Sequence, residues 1–200
     1  MKVSCLIMTK KTYKLIIGLQ NFIDTALWQF IFMYTQLYIA RNISDSDRAL
    51  VGIFECALSF IAVTIIRNRT VIEVATRGLI GFQLTDMCVA VFSRFIVVAH
   101  PAAYMSIVAI RNSCMWNVTI TVMNDLENKV FLKEERTDLN LILKQANMAG
   151  ALIGSGISWL VVGINIESVC WIAAGLCVVS YIYEIWLGVM LKKLVKQLCT

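Results

Sequence analysis

The chain is poor in the residues that metal and nucleophilic chemistry require. It holds one histidine, and its seven cysteines, at positions 5, 56, 88, 114, 170, 177 and 199, include no Cys-x-x-Cys pair. One histidine with scattered thiols offers no ligand cluster for a metal, and the residue order supports no nucleophile motif. No glycine-rich phosphate-binding loop is present either. We therefore predict that the protein is not an enzyme, holds no metal or cofactor and has no disulfide framework.

Proline and charge are scarce as well. One proline and the lack of low-complexity tracts leave no place at which to divide the 200 residues into two domains. Only 16% of the residues are charged and 59% are hydrophobic, and the mean hydropathy is +0.75. These values lie outside the range of soluble domains. The composition predicts an integral membrane protein whose first partner is the lipid bilayer.

Long apolar runs define the predicted architecture. A helix needs about 20 mostly apolar residues to cross the hydrocarbon core. By that measure six transmembrane helices are predicted, near residues 15–40, 49–66, 73–98, 101–123, 140–163 and 169–191. The chain is thus divided into five segments: a basic cytoplasmic N-terminus (1–14), helices 1–4 (15–123), a cytoplasmic loop (124–139), helices 5–6 (140–191) and a basic cytoplasmic C-terminus (192–200). The fold class is therefore all-α and polytopic.

The basic residues indicate the orientation. A net charge of +5 would suggest nucleic acid in a soluble protein, but here the lysines and arginines lie between the apolar runs. Most fall on the side that holds both termini, whereas Arg41, Arg48 and Arg94 are counted on the other side. Because basic loops are retained inside, we predict a multi-pass protein of the cell membrane with both termini in the cytoplasm and no nucleic-acid partner.

Polar side chains interrupt the apolar runs. An ionisable group within a span costs at least about 2.5 kcal/mol, so it usually faces a cavity or the bundle interior. The residues of this kind are Asp24, Glu55, Asp86, Arg111 and Glu184. In the first span the polar and aromatic positions recur every three or four residues along one helical face, through Asn21, Asp24, Thr25, Trp28, Gln29, Thr35 and Gln36. This face is predicted to line a cavity, and the alternative is that each group only bonds a neighbouring helix.

Arg111 lies near the middle of the fourth span, followed by Asn112 and Asn117. An unpaired arginine at that depth is unfavourable, so we expect a carboxylate partner, Asp24 or Asp86 first. Such a pair would be either a proton or substrate switch or a static staple.

Three further signals concern the helices themselves. Ser44 and Asp47 have the spacing of a capping box before the second helix, and Pro101 stands at the start of the fourth. The fifth span contains Gly150, Gly154 and Gly156, and small residues at such spacing predict close helix packing.

The chain resembles one six-helix half of a major facilitator superfamily transporter, more closely the C-terminal half. The resemblance rests on the three-plus-three arrangement and on DLENKVFLKEERTD (125–138) before NMAGALIGSGISWLVV (147–162). It implies two inverted three-helix repeats, with the first and fourth spans lining a central cavity. It also implies alternating-access transport of a small solute, coupled to protons or ions, and a homodimer or a second membrane subunit to complete twelve helices.

On this basis the expected solute or ion pathway comprises Asp24, Gln29, Arg111, Asn112 and Asn117, with Glu55, Asp86 and Glu184 as secondary proton or ion sites. The alternatives are a non-transporting subunit, acting as a scaffold or a substrate-binding module, and a truncated transporter remnant.

Overall fold

The computed structural model describes residues 2–160, 163 and 165–198, and within them the side chains of all but residues 2–9, 32, 33 and 37. This part of the chain is helical and contains no strand. The helices are α1 (Lys2–Asn42), α2 (Asp45–Ile66), α3 (Arg69–Ala99), α4 (Pro101–Ile110), α5 (Asn117–Val130), α6 (Lys133–Leu160) and α7 (Ile166–Leu198). A π-helical segment, Arg111–Trp116, joins α4 to α5 without a break, so residues 101–130 form one rod, here called the fourth rod. The predicted end of the fifth span at 161–162, Met1 and residues 199–200 lie outside the described residues.

Four helices of the described chain are long and apolar enough to cross a membrane. They are α2, α3, α7 and the part Lys10–Asn42 of α1. Their outer faces carry large apolar side chains, of which Phe60 on α2 is 75% exposed. Apolar surface on this scale is typical of a protein that meets lipid or another apolar surface. The helices are therefore compatible with a multi-pass membrane protein.

The predicted helix starts are present. Ser44 Oγ accepts a hydrogen bond from the Asp47 backbone N–H at 3.1 Å, which caps α2. Pro101 lies in the first turn of α4, where its missing N–H breaks no helical bond.

The connection that we expected as a loop over 124–139 is mostly helical. Only Phe131 and Leu132 separate α5 from α6, and the Leu132 N–H is satisfied by Glu135 Oε2 at 2.9 Å. The reason is the amphipathic pattern of the segment, because its apolar side chains at helical spacing pack into a core cluster with α1, as the buried Leu126 and Leu139 show. Lys10 Nζ, donating to Glu135 Oε2 at 2.8 Å, ties this turn to α1.

Helix α6 packs closely against α1 through two of the three predicted glycines. A Cβ built on Gly150 would lie 2.5 Å from the Phe22 carbonyl oxygen, and one on Gly154 would collide with the Ala26 backbone. Gly156, which we expected to pack in the same way, does not, because no atom of another helix in the described chain lies within 4 Å of its added Cβ. It stands two residues after Gly154 and so points away from α1.

The packing leaves a cleft between two groups of helices. Helix α1 packs on α6 and α7, and the fourth rod packs on α2, α3 and, through α5, on α7. Helices α3 and α7 pack on each other behind the cleft, while α1 meets the fourth rod at a few residues of α4 and, near the N-terminal end of α1, at α5, where Tyr13 Oη donates to Glu127 Oε1 at 2.5 Å. Several polar residues of these helices line this cleft.

Candidate functional site

A buried ion pair lies behind the cleft. Arg111 Nε donates to Asp86 Oδ1 at 2.7 Å, and one of its terminal nitrogens donates to Asp86 Oδ2 at 3.2 Å. Tyr181 of α7 donates to the same Asp86 oxygen and accepts from Arg111. The two alternatives that the sequence left open for the Arg111 partner are thereby resolved in favour of Asp86. The cluster joins α3, the π-helical segment and α7.

The π-helical segment turns several polar side chains towards the cleft. A π-helical turn brings residues i and i+5 into line, whereas an α-helix aligns i with i+3 and i+4. Arg111 and Trp116 therefore share a face with Asn112 and Asn117, and all four line the same cavity. Ser113 on the other side donates to the Glu55 carbonyl oxygen at 3.0 Å and so fixes α2 against the rod.

The first cavity has a volume of about 470 Å³ and lies between α1 and the fourth rod. It carries charges of both signs on the walls, and two tryptophans contribute to them. Its lining consists of Asp24, Thr25, Leu27, Trp28, Glu55, Ser59, Arg94, Arg111, Asn112, Trp116, Asn117, Cys177 and Tyr181. The volume lies within the range of about 300–1,000 Å³ that is typical of small-molecule sites.

A second cavity of about 530 Å³ continues from the first towards the turn between α1 and α2. The two share Trp28, Glu55, Arg94 and Asn112, and the second is also lined by Arg48. The shared residues form the junction between an inner and an outer chamber. A polar path therefore runs from the middle of α1 to its C-terminal end.

Arg94 stands at this junction with few partners. It is 6% exposed, and one terminal nitrogen donates to Tyr104 Oη at 2.8 Å. Its Nε has no hydrogen-bond partner, and the guanidinium forms no ion pair with a carboxylate of the described residues. A buried arginine usually has such a partner, since desolvating a charge is costly. This guanidinium retains capacity to bind an anionic group.

The two acidic side chains of the first cavity each accept one long hydrogen bond. Asp24 Oδ1 accepts a long hydrogen bond of 3.4 Å from Ser180 Oγ. Glu55 Oε1 accepts one of 3.3 Å from Asn112 Nδ2. Neither carboxylate forms an ion pair with a lysine or arginine of the described residues. Both can therefore accept further hydrogen bonds from a solute.

The structure separates the predicted pathway residues into two sets. Asp24, Glu55, Arg111, Asn112 and Asn117 line the first cavity. Three others line neither cavity: Gln29, Asp86 and Glu184.

Each of these three has a different environment. Gln29 lies about 140° round the helix from Asp24, on the side where its carbonyl oxygen is 3.5 Å from Ser158 Oγ of α6. Asp86 is covered by Arg111 and Tyr181. Glu184 is buried between α7 and α3, where Gln83 Nε2 donates to its Oε1 at 3.4 Å. Neither the polar face of the first span nor the presence of ionisable residues in the spans distinguished the side chains that line the cavity from those packed behind them.

Arg94 is the main residue that sequence reasoning missed. It lies within the predicted span 73–98, but it was counted only as an outer basic residue. The signal was available, because an arginine inside a span needs an explanation as much as Arg111 does.

Within the described chain no group of three His, Cys, Asp or Glu side chains is placed to hold a metal ion. No family model, no curated protein and no solved structure matches this chain.

Proposed function

We propose that the chain is a six-helix unit of a membrane transporter, which binds a small polar solute between α1 and the fourth rod and moves it by alternating access. The observation that carries this proposal is the cavity of about 470 Å³ whose walls hold Asp24, Glu55 and Arg94 without an ion-pair partner among the described residues. Charged groups inside apolar helices are costly. They are typical of solute and ion pathways, where a ligand or water satisfies them.

The pattern of helix contacts supports a fold of six spans in two three-helix repeats. In such a fold α1 corresponds to the fourth rod, α2 to α6 and α3 to α7. The contact between α1 and α6 then corresponds to the contact between the fourth rod and α2. The α1–α7 contact corresponds to that between the fourth rod and α3, and the α3–α7 contact corresponds to itself. The contact between α5 and α7 and the smaller one between α2 and α3 have no counterpart of similar extent. Such internal symmetry is typical of transporters, including the major facilitator superfamily that the sequence resembles.

A second six-helix unit would supply the missing wall of the cavity. Helices α2 and α6 flank the cleft and expose large apolar side chains, including Leu50 and Phe54 on α2 and Leu152 on α6. Either a second copy of this chain or another membrane subunit fits such a surface. With the basic segments retained inside, both termini lie in the cytoplasm and the outer chamber opens to the opposite side of the cell membrane.

A solute-binding subunit that does not itself transport is the second candidate. It is favoured by the close backbone contact of α6 with α1 at Gly150 and Gly154, which holds one wall of the cavity rigidly. The two functions differ in whether solute crosses the bilayer.

The test is a solute-induced current or flux measurement on the full chain in liposomes, with panels of small carboxylates, amines, amino acids and sugars. We expect at least one class to cross, and Asp24→Asn to reduce its flux by at least about tenfold because the carboxylate loses its charge in the cavity. Asp138→Asn is the matched control, since Asp138 is exposed and pairs with Lys14 away from the cavity.

Three outcomes would contradict parts of the proposal. Unchanged flux in Asp24→Asn would exclude the cavity as the path. Binding without flux for every class would favour the solute-binding subunit. Full flux from a particle whose protein mass is that of one chain would exclude the need for a second unit.

A further inference from the structure

We propose that the cavity selects a zwitterionic solute, with the solute's carboxylate on Arg94 and its amine on Asp24. This assignment rests on the proposed solute-binding function and names its substrate class. It concerns molecules such as α-amino acids that carry one carboxylate and one ammonium group.

Arg94 supplies the carboxylate site. Arg94 is 6% exposed and lines both cavities, and its guanidinium donates one hydrogen bond to Tyr104, while its Nε has no partner among the described residues. The planar fork of an arginine matches a carboxylate with two parallel hydrogen bonds. A carboxylate in this position would satisfy the vacant donors and neutralise the buried charge.

Asp24 supplies the ammonium site. It lines the same cavity as Arg94, and its Oδ1 accepts one long hydrogen bond, from Ser180 Oγ at 3.4 Å. Arg111 also lines this cavity, but its charge is matched by Asp86 at 2.7 Å. Asp24 and Glu55 therefore both remain for a cation, and we assign the ammonium to Asp24 because Glu55 lies at the junction of the two cavities, where Asn112 Nδ2 donates to its Oε1 at 3.3 Å.

Opposite unpaired charges in one chamber disfavour a solute of single charge. An anion would satisfy Arg94 but leave Asp24 facing a like charge, and a cation would satisfy Asp24 but leave Arg94 desolvated and unpaired. A zwitterion satisfies both groups at once. The volume of about 470 Å³ and the walls Trp28 and Trp116 leave room for a side chain beyond the two charged groups.

The first experiment uses the unmodified full chain in lipid nanodiscs and titration calorimetry with three matched sets of probes. They are glycine, leucine and phenylalanine, each with its deaminated counterpart (acetate, 4-methylpentanoate, 3-phenylpropanoate) and its decarboxylated counterpart (methylamine, 3-methylbutylamine, 2-phenylethylamine). We expect at least one zwitterion to bind at least about tenfold more tightly than both of its counterparts, because each charged contact is strong. If no zwitterion does so, the assignment is overturned without any variant.

The second experiment exchanges the preference. Arg94→Gln should lose the tight zwitterion and retain the matching amine, whereas Asp24→Asn should lose the tight zwitterion and retain the matching carboxylate. Arg41→Gln, which removes an exposed arginine at the end of α1, is the matched control and should bind as the unmodified chain does. If both cavity variants keep the zwitterion preference, the two charges do not contact the solute as we propose.

The results also separate this inference from the proposed function. Flux of a sugar or of a singly charged solute through the unmodified chain, with no zwitterion preference, would overturn the zwitterion and leave transport standing. Zwitterion binding without flux would leave the assignment standing and overturn transport.

Discussion

Arg111 and Asp86 form the most deeply buried of the ion pairs between described residues, with 12% and 1% of their side chains exposed. Both Asp86 oxygens accept a hydrogen bond, and Tyr181 adds a further link to α7. A pair with its geometry satisfied in this way holds three elements together. The arrangement favours the static staple over the switch.

We predict that Asp86→Asn lowers the free energy of unfolding by about 3–5 kcal/mol, because the Arg111 guanidinium is left as an uncompensated buried charge. The double variant Asp86→Asn with Arg111→Gln should recover part of this loss, since it removes both charges. Reversible unfolding in mixed detergent measures both quantities. A double variant that loses as much as the sum of the two single variants would show that the pair is not coupled.

Glu127 lies beyond the predicted fourth span, on α5, and accepts a hydrogen bond from Tyr13 Oη at 2.5 Å. Burial raises the pKa of the Glu127 carboxyl, and the hydrogen bond from Tyr13 lowers the pKa by less. The folded state therefore binds the proton more tightly than the unfolded state does. Stability falls as the pH rises from the ordinary carboxyl value near 4.5 through the raised pKa.

We predict that Glu127→Gln removes this loss and makes the chain more stable than the unmodified protein above the window, with no difference well below it. Thermal unfolding in detergent, scanned from about pH 4 to about pH 8, measures it. Glu135→Gln is the control of opposite sign, because the hydrogen bond from Lys10 lowers the pKa of Glu135. That variant should be less stable at neutral pH, and the difference should disappear as the pH falls through the lowered pKa. A Glu127→Gln scan parallel to that of the unmodified chain would contradict the prediction.

For individual residues, the sequence predicted that polar groups inside a span need a partner or a cavity, but not which of them line the cavity. It identified Arg111 and named Asp86 as one of two partners, because an arginine within a span needs a carboxylate. It could not separate Gln29 from the cavity wall, since both sides of α1 carry polar groups and α6 covers one of them. Arg94 was assigned to topology because it lies near the end of a span.

The helices themselves interact through surfaces that single substitutions can test. Gly154 and Gly156 stand two residues apart on α6, and only the first faces the α1 backbone. They form a matched pair within one helix.

We predict that Gly154→Ala lowers the free energy of unfolding by about 1–3 kcal/mol, because the new methyl group collides with the Ala26 backbone, which cannot rotate away as a side chain can. Gly156→Ala should leave stability unchanged or raise it by up to about 1 kcal/mol through its better helix propensity. Unfolding of the two variants in the same detergent measures the difference. Equal stability of the two would show that α6 does not approach α1 as described.

Element boundaries were predictable where chemistry marks them. Ser44 and Pro101 begin helices as expected, because capping and a missing N–H are local properties. The π-helical segment Arg111–Trp116 was not predictable, since a pattern of 3.6 residues per turn assigns Trp116 to a different face from Arg111. The connection predicted as a loop over 124–139 is helical on both sides of Phe131 and Leu132, which its amphipathic spacing, rather than its polarity, indicates.

For the whole molecule, the fold class is predictable from the sequence, but the way in which the helices pair is not contained in any short sequence pattern. Hydropathy alone indicated an all-helical membrane protein, and the described chain is helical with four helices able to span a bilayer. The pairing of α1 with α6 and of the fourth rod with α2 depends on contacts between distant residues. These contacts determine where the cleft opens, so the site could be predicted as residue types but not as a shape.

Helix α6 is long, yet it is not among the four helices that are long and apolar enough to cross a bilayer by their length and composition alone. A ribosome delivers α1 to the membrane well before α6, so the surface of α1 that receives Gly150 and Gly154 is already present when α6 emerges. If α6 is one of six spans, as we propose, its partitioning into lipid is coupled to docking on α1, because the contact offsets the apolar character that its composition lacks. A larger residue at Gly154 would thus act during biogenesis as well, and a fraction of the chains would be found with α6 outside the bilayer beside the finished but less stable protein.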